Sequence, residues 1–410
     1  MYFYKGKKDI TSEKSDESEK LELIKKEIPQ TLDIKNLSFL FGAGISSFWK
    51  KVKDEPSGAE ININIGIPAM KPMAEEFYPT LTEEETFLSE IKVDTSRDIF
   101  KDNLEKFLEV LFSLKFVFEK QENTVSLEKI EALITKTKEF ILEKCINEEN
   151  IKNHPELIEL YKKFYRKLVY RDNNLSKTNI FTTNYDLYNE RALDQLGIIY
   201  SNGFAGNIER YFNPTVFNYA FAEQMELSNN KWNVIDNFIY LYKLHGSVNW
   251  IEDDNPSHMF KIREIQNPKK EDSAVMIYPT PVKQNASFGS PYSDLFREFQ
   301  KKLMQQNNIL ITLGYSFSDE HINNLIYQAL TIPTFRLIVF GDSTKGNIEK
   351  LLGLDDPRIW IIGGKDDSEE AIHYFEFFIN KILPDISEEK IEDSIQKVIT
   401  TFINKSGTQQ

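Results

Sequence analysis

Leu37-Ser38-Phe39-Leu40-Phe41 runs without a charge into Gly42-Ala43-Gly44-Ile45-Ser46-Ser47. A short apolar run that stops at two glycines and two hydroxyls reads as a buried strand turning into an anion-holding loop. Glycine has no Cβ to keep a phosphate away, and its amide is a donor. The full Gly-x-Gly-x-x-Gly pattern is not met, because position 47 is Ser, and an ordinary tight β-turn is written with the same letters. The constraint comes from repetition. Four further apolar runs end in small or polar residues: Thr182-Thr183 before Asn184-Tyr185-Asp186, Leu244 before His245-Gly246, Leu313 before Gly314-Tyr315-Ser316, and Phe340 before Gly341-Asp342. In a parallel sheet such ends share one edge, where open α/β folds place their ligands. The pattern predicts an α/β fold with a parallel sheet and one crevice.

The remaining chain arranges itself around these strands. At 410 residues it exceeds the size at which a single core usually stops growing, so a large domain with an insertion, or two domains, is expected. Residues 1–30 are rich in Lys, Glu, Asp and Ser and read as a mobile segment with a short helix that ends at Pro29. Residues 31–73 open the core, with a polar loop after Ser47 and a rigid Gly66-Ile67-Pro68 turn whose neighbour Lys71 is placed to face an anion. Residues 74–170 change to helical spacing, with apolar faces through Phe107, Leu108 and Leu111, through Ile130, Leu133 and Ile134, and through Leu157, Tyr161 and Phe164. They predict an all-α insertion. Residues 171–365 return to strand and helix, with a polar hairpin at 252–275 and a long loop from Ile277 to Pro291. Residues 366–410 predict C-terminal helices at about 369–382 and 387–404.

Composition removes several classes of function. A net charge of −14 argues against a phosphate-backbone binder, so no direct sequence-specific nucleic-acid contact is expected. No apolar run reaches about 18 residues and the first residues lack an apolar signal core, which predicts a cytoplasmic protein without membrane contact. Cys145 is the only cysteine; it sits at an apolar helical position and reads as a structural thiol. Four-cysteine zinc modules are excluded by counting, and no metal site is expected.

Taken together, Gly42-Ala43-Gly44-Ile45-Ser46, Gly66-Ile67-Pro68, Thr182-Thr183-Asn184-Tyr185-Asp186, His245-Gly246 and Gly314-Tyr315-Ser316 resemble the motifs of the sirtuin-like NAD-binding family, in the same order. Within it, the chain is similar to the bacterial branch that acts in anti-phage defence. The resemblance implies a Rossmann-like sheet. It implies NAD as substrate, with Gly42, Ala43, Gly44, Ser46, Pro68, Thr183, Gly314, Ser316 and Asp342 in its binding site, and Asn184, His245 and Asp186 as catalytic residues. It also implies a homo-oligomer and a HerA-type ATPase partner. Two departures stand out. Ala69-Met70-Lys71 replaces the Asp-Phe-Arg of protein deacylases, and the zinc-binding cysteine pairs of that group are absent. One wall of a peptide cleft goes with the zinc module. The reading therefore moves toward an NAD glycohydrolase that halts infection by NAD depletion, with a protein deacylase, an ADP-ribosyl transferase or a non-catalytic NAD or ADP-ribose sensor as alternatives.

Each residue also has a plainer reading. His245 before a glycine makes an ordinary turn histidine, or a base for a ribose hydroxyl, since imidazole titrates near neutrality. Asn184 and Asp186 make helix caps, or orient a water and favour a cationic transition state. Ser46 and Ser316 lack a nucleophile elbow and a Ser-His-Asp order, so contact with the dinucleotide suits them better than nucleophilic attack.

Overall fold

In the computed structural model the described residues are 1–53, 60–169, 171, 174–224, 232–235, 238–253, 255, 258–272, 274–276 and 290–384. The loop expected from Ile277 to Pro291 lies largely outside them, and the helix expected at 387–404 lies wholly outside.

A nine-stranded sheet runs through the molecule. Its strands in chain order are β1 (Tyr2–Lys5), β2 (Lys8–Asp9), β3 (Asn36–Phe41), β4 (Asn179–Thr182), β5 (Ile199–Ser201), β6 (Phe238–Lys243), β7 (Asn308–Leu313), β8 (Phe335–Phe340) and β9 (Ile359–Gly363). The spatial order is β2-β1-β9-β8-β7-β3-β4-β6-β5. From β9 to β5 every neighbouring pair is parallel. The fold is α/β, with a mostly parallel, Rossmann-like central sheet and many helices.

Both faces are apolar, as a covered parallel sheet requires. Leu37, Phe39 and Phe41 of β3, with Ile309, Ile311 and Leu313 of β7, point into one core. Leu40 and Leu310, between them in sequence, point into the other with Leu337 and Val339. The first core is closed by the helix Glu17–Leu32, by helices between residues 70 and 169, and by the turn at Phe375–Ile382. The second is closed by helices Tyr292–Leu303, Glu320–Ala329 and Gly346–Gly353. The helix Glu156–Val169 meets the sheet through Phe164, whose ring lies 5.2 Å from Phe39 and 5.4 Å from Phe41.

The two halves of the sheet grow outward in opposite directions from the β3/β7 pair. β4 and β6 extend it one way, β8 and β9 the other. The chain thus makes its topological switch between β3 and β7, which places a crevice outside their carboxyl ends. A second, five-stranded sheet joins this edge: its strand Gly246–Glu252 starts three residues after β6 ends.

Several expectations are corrected. The first residues are not a loose tail: β1 pairs antiparallel with β9, from Tyr2 opposite Gly363 to Lys5 opposite Trp360, and Phe3 is fully buried. The aromatic run Tyr2-Phe3-Tyr4 covers an otherwise open sheet edge, a signal masked by the charges around it. The following helix continues past Pro29 to Leu32, because Ile24, Ile28 and Thr31 are buried and tertiary packing outweighs the proline. The polar loop after Ser47 contains a hairpin, Trp49–Lys53 with Glu60–Asn64; its residues are mostly exposed, so the short alternation of Ile61 and Ile63 with polar neighbours marks no buried face. The helix expected to begin near 369 begins at Phe375 and widens into a π-helical turn over Phe378–Ile382.

Candidate functional site

Three groups of residues occupy the carboxyl edge of the sheet. The first is a glycine cradle. A Cβ on Gly42 would lie 2.5 Å from the Gly314 carbonyl oxygen, and one on Gly44 would lie 2.7 Å from the Gly314 Cα. Gly314 itself has φ +63°, and its Cβ would lie 2.5 Å from the Ile45 nitrogen. The loops after β3 and β7 therefore touch backbone to backbone, which only glycine allows. The Gly44 amide donates to Gly314 O at 3.0 Å, and the Gly42 amide to Leu313 O at 3.0 Å. The Ile45 and Ser46 amides donate to Gly42 O and Ala43 O, both at 3.1 Å. The loop's amides are thus spent largely on holding its own shape. The glycines chiefly provide close approach, with Ala43 and Gly44 exposed at the mouth.

Gly66-Ile67-Pro68 lies against this loop. The Ile67 amide donates to Ser46 O at 2.7 Å, and a Cβ on Gly66 would meet that same oxygen at 2.2 Å. Pro68 follows, half-buried. Lys71 pairs with Asp102 at 3.6 Å and Glu75 at 3.9 Å; the expected free cation for an anion is neutralised by neighbouring carboxylates.

The second group is a buried polar relay. Asn184 Nδ2 donates to Gly42 O at 3.0 Å and to Ser46 Oγ at 2.8 Å, and Ser46 Oγ donates to Asp186 Oδ2 at 2.7 Å. Asp186 Oδ1 accepts from the Tyr188 amide at 3.0 Å, at the start of the helix Tyr188–Leu196. Asp186 is 2% exposed and Asn184 8%. Both hydrogens of the Asn184 amide thus clamp the glycine loop, leaving its Oδ1 as the remaining acceptor. Asp186 anchors Ser46 from behind rather than standing at the surface. Tyr161 closes the relay, with its hydroxyl 3.3 Å from Ser46 Oγ and donating to Ile45 O at 3.2 Å. Burial, and after it the Asp186 charge, pushes the Tyr161 phenol well above its ordinary range. The same two causes push the Cys145 thiol up to about 12.

The third group is His245 with Asp319. His245 stands where the chain leaves β6 and enters the second sheet, a turn that Gly246 makes at φ +88°. Its Nε2 lies 3.0 Å from Asp319 Oδ2. Asp319 also caps the helix Glu320–Ala329, accepting from the His321 and Ile322 amides. A capping carboxylate after β7 thereby fixes the orientation of a histidine after β6.

β4 and β6 are neighbours, with Thr182 opposite Lys243, and the Leu244 amide donates to Thr182 O at 2.8 Å. Asn184 and His245, each two residues beyond that pair, lie on adjacent loops. Thr183 is at the junction with β3, its amide donating to Phe41 O at 3.0 Å. Ser316 is exposed and donates to Ser318 Oγ at 3.1 Å. Asp342, after β8, accepts from the Thr344 hydroxyl at 2.7 Å and pairs with Lys345 at 3.3 Å. The Thr344 hydrogen bond is the leading cause holding its carboxyl below the usual range. From β6 to β8 the edge spans roughly 19 Å at ordinary strand spacing, the reach of an extended dinucleotide. Among the described residues no group of three or more His, Cys, Asp or Glu side chains is placed to hold a metal ion, and no helix is long and apolar enough to cross a membrane.

Tyr161, Asp319 and Lys243 were not singled out from the sequence. Asp319 had a signal, an Asp directly before a helical run; Tyr161 reads only as one more apolar position of the helical segment.

The comparison with protein families falls on this edge. Residues 178–334 match the family model of the SIR2-like domain, which supports a sirtuin-like family for the chain and implies an involvement of NAD. The matched span carries Asn184, Asp186, His245, Gly314, Ser316 and Asp319, and leaves out the glycine loop and Asp342. No curated protein matches this sequence.

Proposed function

We propose that the protein is an NAD glycohydrolase, which cleaves NAD with water to ADP-ribose and nicotinamide. The observation that carries the reading is the relay from Gly42 through Asn184 and Ser46 to Asp186, set beside His245 at the switch point of a parallel sheet. On this reading the pyrophosphate lies at the exposed mouth of the Gly42, Ala43, Gly44 and Gly314 cradle, with Thr183, Pro68 and Ser316 around it and Asp342 toward the adenosine end.

The chain's own groups divide the work. Asn184 Oδ1 orients the attacking water, and its amide hydrogens keep the phosphate loop in register with it. Asp186 is a positioning residue that acts through Ser46, and its fixed charge favours the cationic character that develops as the bond to nicotinamide breaks. His245, oriented by Asp319, accepts the proton of a ribose hydroxyl or of the water. No peptide wall is needed for this chemistry, which agrees with a chain that has no cysteine pairs for a zinc module.

We further propose, from the resemblance in the motifs, that the enzyme acts in anti-phage defence as a homo-oligomer with a HerA-type ATPase, in the cytoplasm, and stops infection by NAD depletion. The test of the site is nicotinamide release from NAD by the wild type, Asn184→Ala and His245→Ala, each with and without that ATPase. Either substitution is expected to lower kcat by about 100-fold or more with the fold retained. Turnover by both variants within about threefold of the wild type would refute the assignment.

A further inference from the structure

Lys243 closes a strand that is otherwise apolar or aromatic, Phe238-Ile239-Tyr240-Leu241-Tyr242, and it is 1% exposed. A buried ammonium is costly unless its hydrogens are all taken. Here they are. Lys243 Nζ donates to Tyr185 O at 3.1 Å and to Asp186 O, and it pairs with Glu190 Oε1 at 3.1 Å. Glu190 is itself buried on the helix Tyr188–Leu196, and its Oε2 has no protein partner. The pair serves no surface or solubility role, since both groups are buried.

What it grips is the Asn184-Tyr185-Asp186 turn. From the other side of His245, the Val248 amide donates to Tyr185 O at 3.1 Å, and Ser247 Oγ reaches it at 3.4 Å. The stretch Lys243–Val248, with His245 in its middle, is therefore fastened at both ends to the turn that carries Asn184.

We infer that Lys243, with Glu190 as its buried counter-ion, is a positioning residue that locks the Asn184–Asp186 turn to the His245 loop and so fixes the two candidate catalytic side chains relative to each other. An apolar residue would pack at position 243 at lower cost, but it would leave the Tyr185 and Asp186 carbonyls without this donor and the turn free to rotate away from His245. The inference rests on the glycohydrolase reading for its catalytic consequence, not for the clamp itself.

The test uses the full chain as wild type, the double variant Lys243→Met/Glu190→Leu, and Glu190→Gln. The double variant removes both charges together, so no unpaired ion is left in the core. Amide hydrogen exchange is read over residues 183–188, with β7 as an internal control, and nicotinamide release is resolved into kcat and KM. In the double variant, exchange over 183–188 is expected to rise by roughly tenfold or more while β7 stays protected. Its kcat is expected to fall at least about tenfold with KM changed by less than about threefold, the signature of misplaced reacting groups rather than lost binding. Glu190→Gln leaves the buried ammonium without its counter-ion and is expected to raise exchange over 183–188 and lower kcat in the same direction as the double variant, by about threefold or more in each readout.

Unchanged exchange over 183–188 in the double variant, or a kcat within about twofold of the wild type, would overturn the inference. So would exchange and kcat within about threefold of the wild type in Glu190→Gln, which also decides the matter if the double variant does not fold. A wild type with no turnover under any condition would refute the glycohydrolase reading instead, and the exchange comparison would then decide the clamp alone.

Discussion

Gly314 is the residue on which the crevice depends most. Its φ of +63° and the absence of space for a Cβ beside Ile45 N are separate obstacles to any other side chain. A non-glycine residue in that backbone region costs of order 1–3 kcal/mol before the contact is counted, and the contact is with backbone, which does not step aside. Gly314→Ala is therefore expected to lower the thermal midpoint and to abolish the stabilisation that the proposed function predicts NAD to give the wild type, read by melting with and without NAD. Retained protection by NAD in a folded Gly314→Ala chain would show that the cradle is not where the dinucleotide lies. Serine at position 46 carries a different burden. Its one hydroxyl donates to Asp186 and accepts from Asn184, so it is the joint between the loop after β3 and the turn after β4.

At the scale of elements, Gly42, Asn184, His245, Gly314 and Asp342 all follow closely on strand ends, and that much was legible. Apolar runs ending at Phe41, Leu313 and Phe340 mark strand ends in the structure without adjustment, while those read to Thr183 and Leu244 stop one residue earlier, at Thr182 and Lys243. Burial on both faces makes such runs stand out as continuous apolar stretches, and parallel pairing then brings their ends to one edge. What the sequence hid were contacts across elements. Nothing local to Asp319 says that a cap on one helix also faces His245, and nothing local to Tyr161 says that a helix from the long segment between β3 and β4 ends up over Ser46. Edge elements were hidden for another reason. β1 is too short to show a period, and the strands Trp49–Lys53 and Glu60–Asn64 are exposed at most positions, so their few apolar residues point to no core.

The segment that follows β9 carries its own pH dependence. His373 packs edge-on against Tyr374, and its Nδ1 is buried without a hydrogen-bond partner. Burial is the largest cause and lowers its affinity for a proton below the ordinary value of 6.5, with Asp342 opposing and Lys345 reinforcing the shift. A histidine with a depressed folded value stabilises the native state above its unfolded value, and that contribution is lost as the pH falls below it toward the folded value. The wild type is expected to lose denaturant resistance between about pH 7.5 and 5.5, an interval that starts above the imidazole's ordinary titration and runs below it. His373→Gln should lose less over the same interval. Equal losses in urea midpoint would remove His373 from the account.

For the whole molecule, the two cores on either side of the sheet make the edge a rigid platform. The glycine cradle, the Asn184–Ser46–Asp186 relay and the His245–Asp319 pair are all mounted on it. The sequence has no cysteine pairs for a zinc-built peptide wall, and the proposed reading puts water rather than an acyl-lysine substrate at the reacting position. The direct measurement is therefore product formation from NAD by the full chain, with and without the proposed HerA-type ATPase, in the presence and absence of an acyl-lysine peptide. The account predicts nicotinamide and ADP-ribose in equal amounts, at a rate the peptide does not change. Nicotinamide released only when the peptide is present, or no turnover from a chain that NAD nonetheless protects against unfolding, would contradict it.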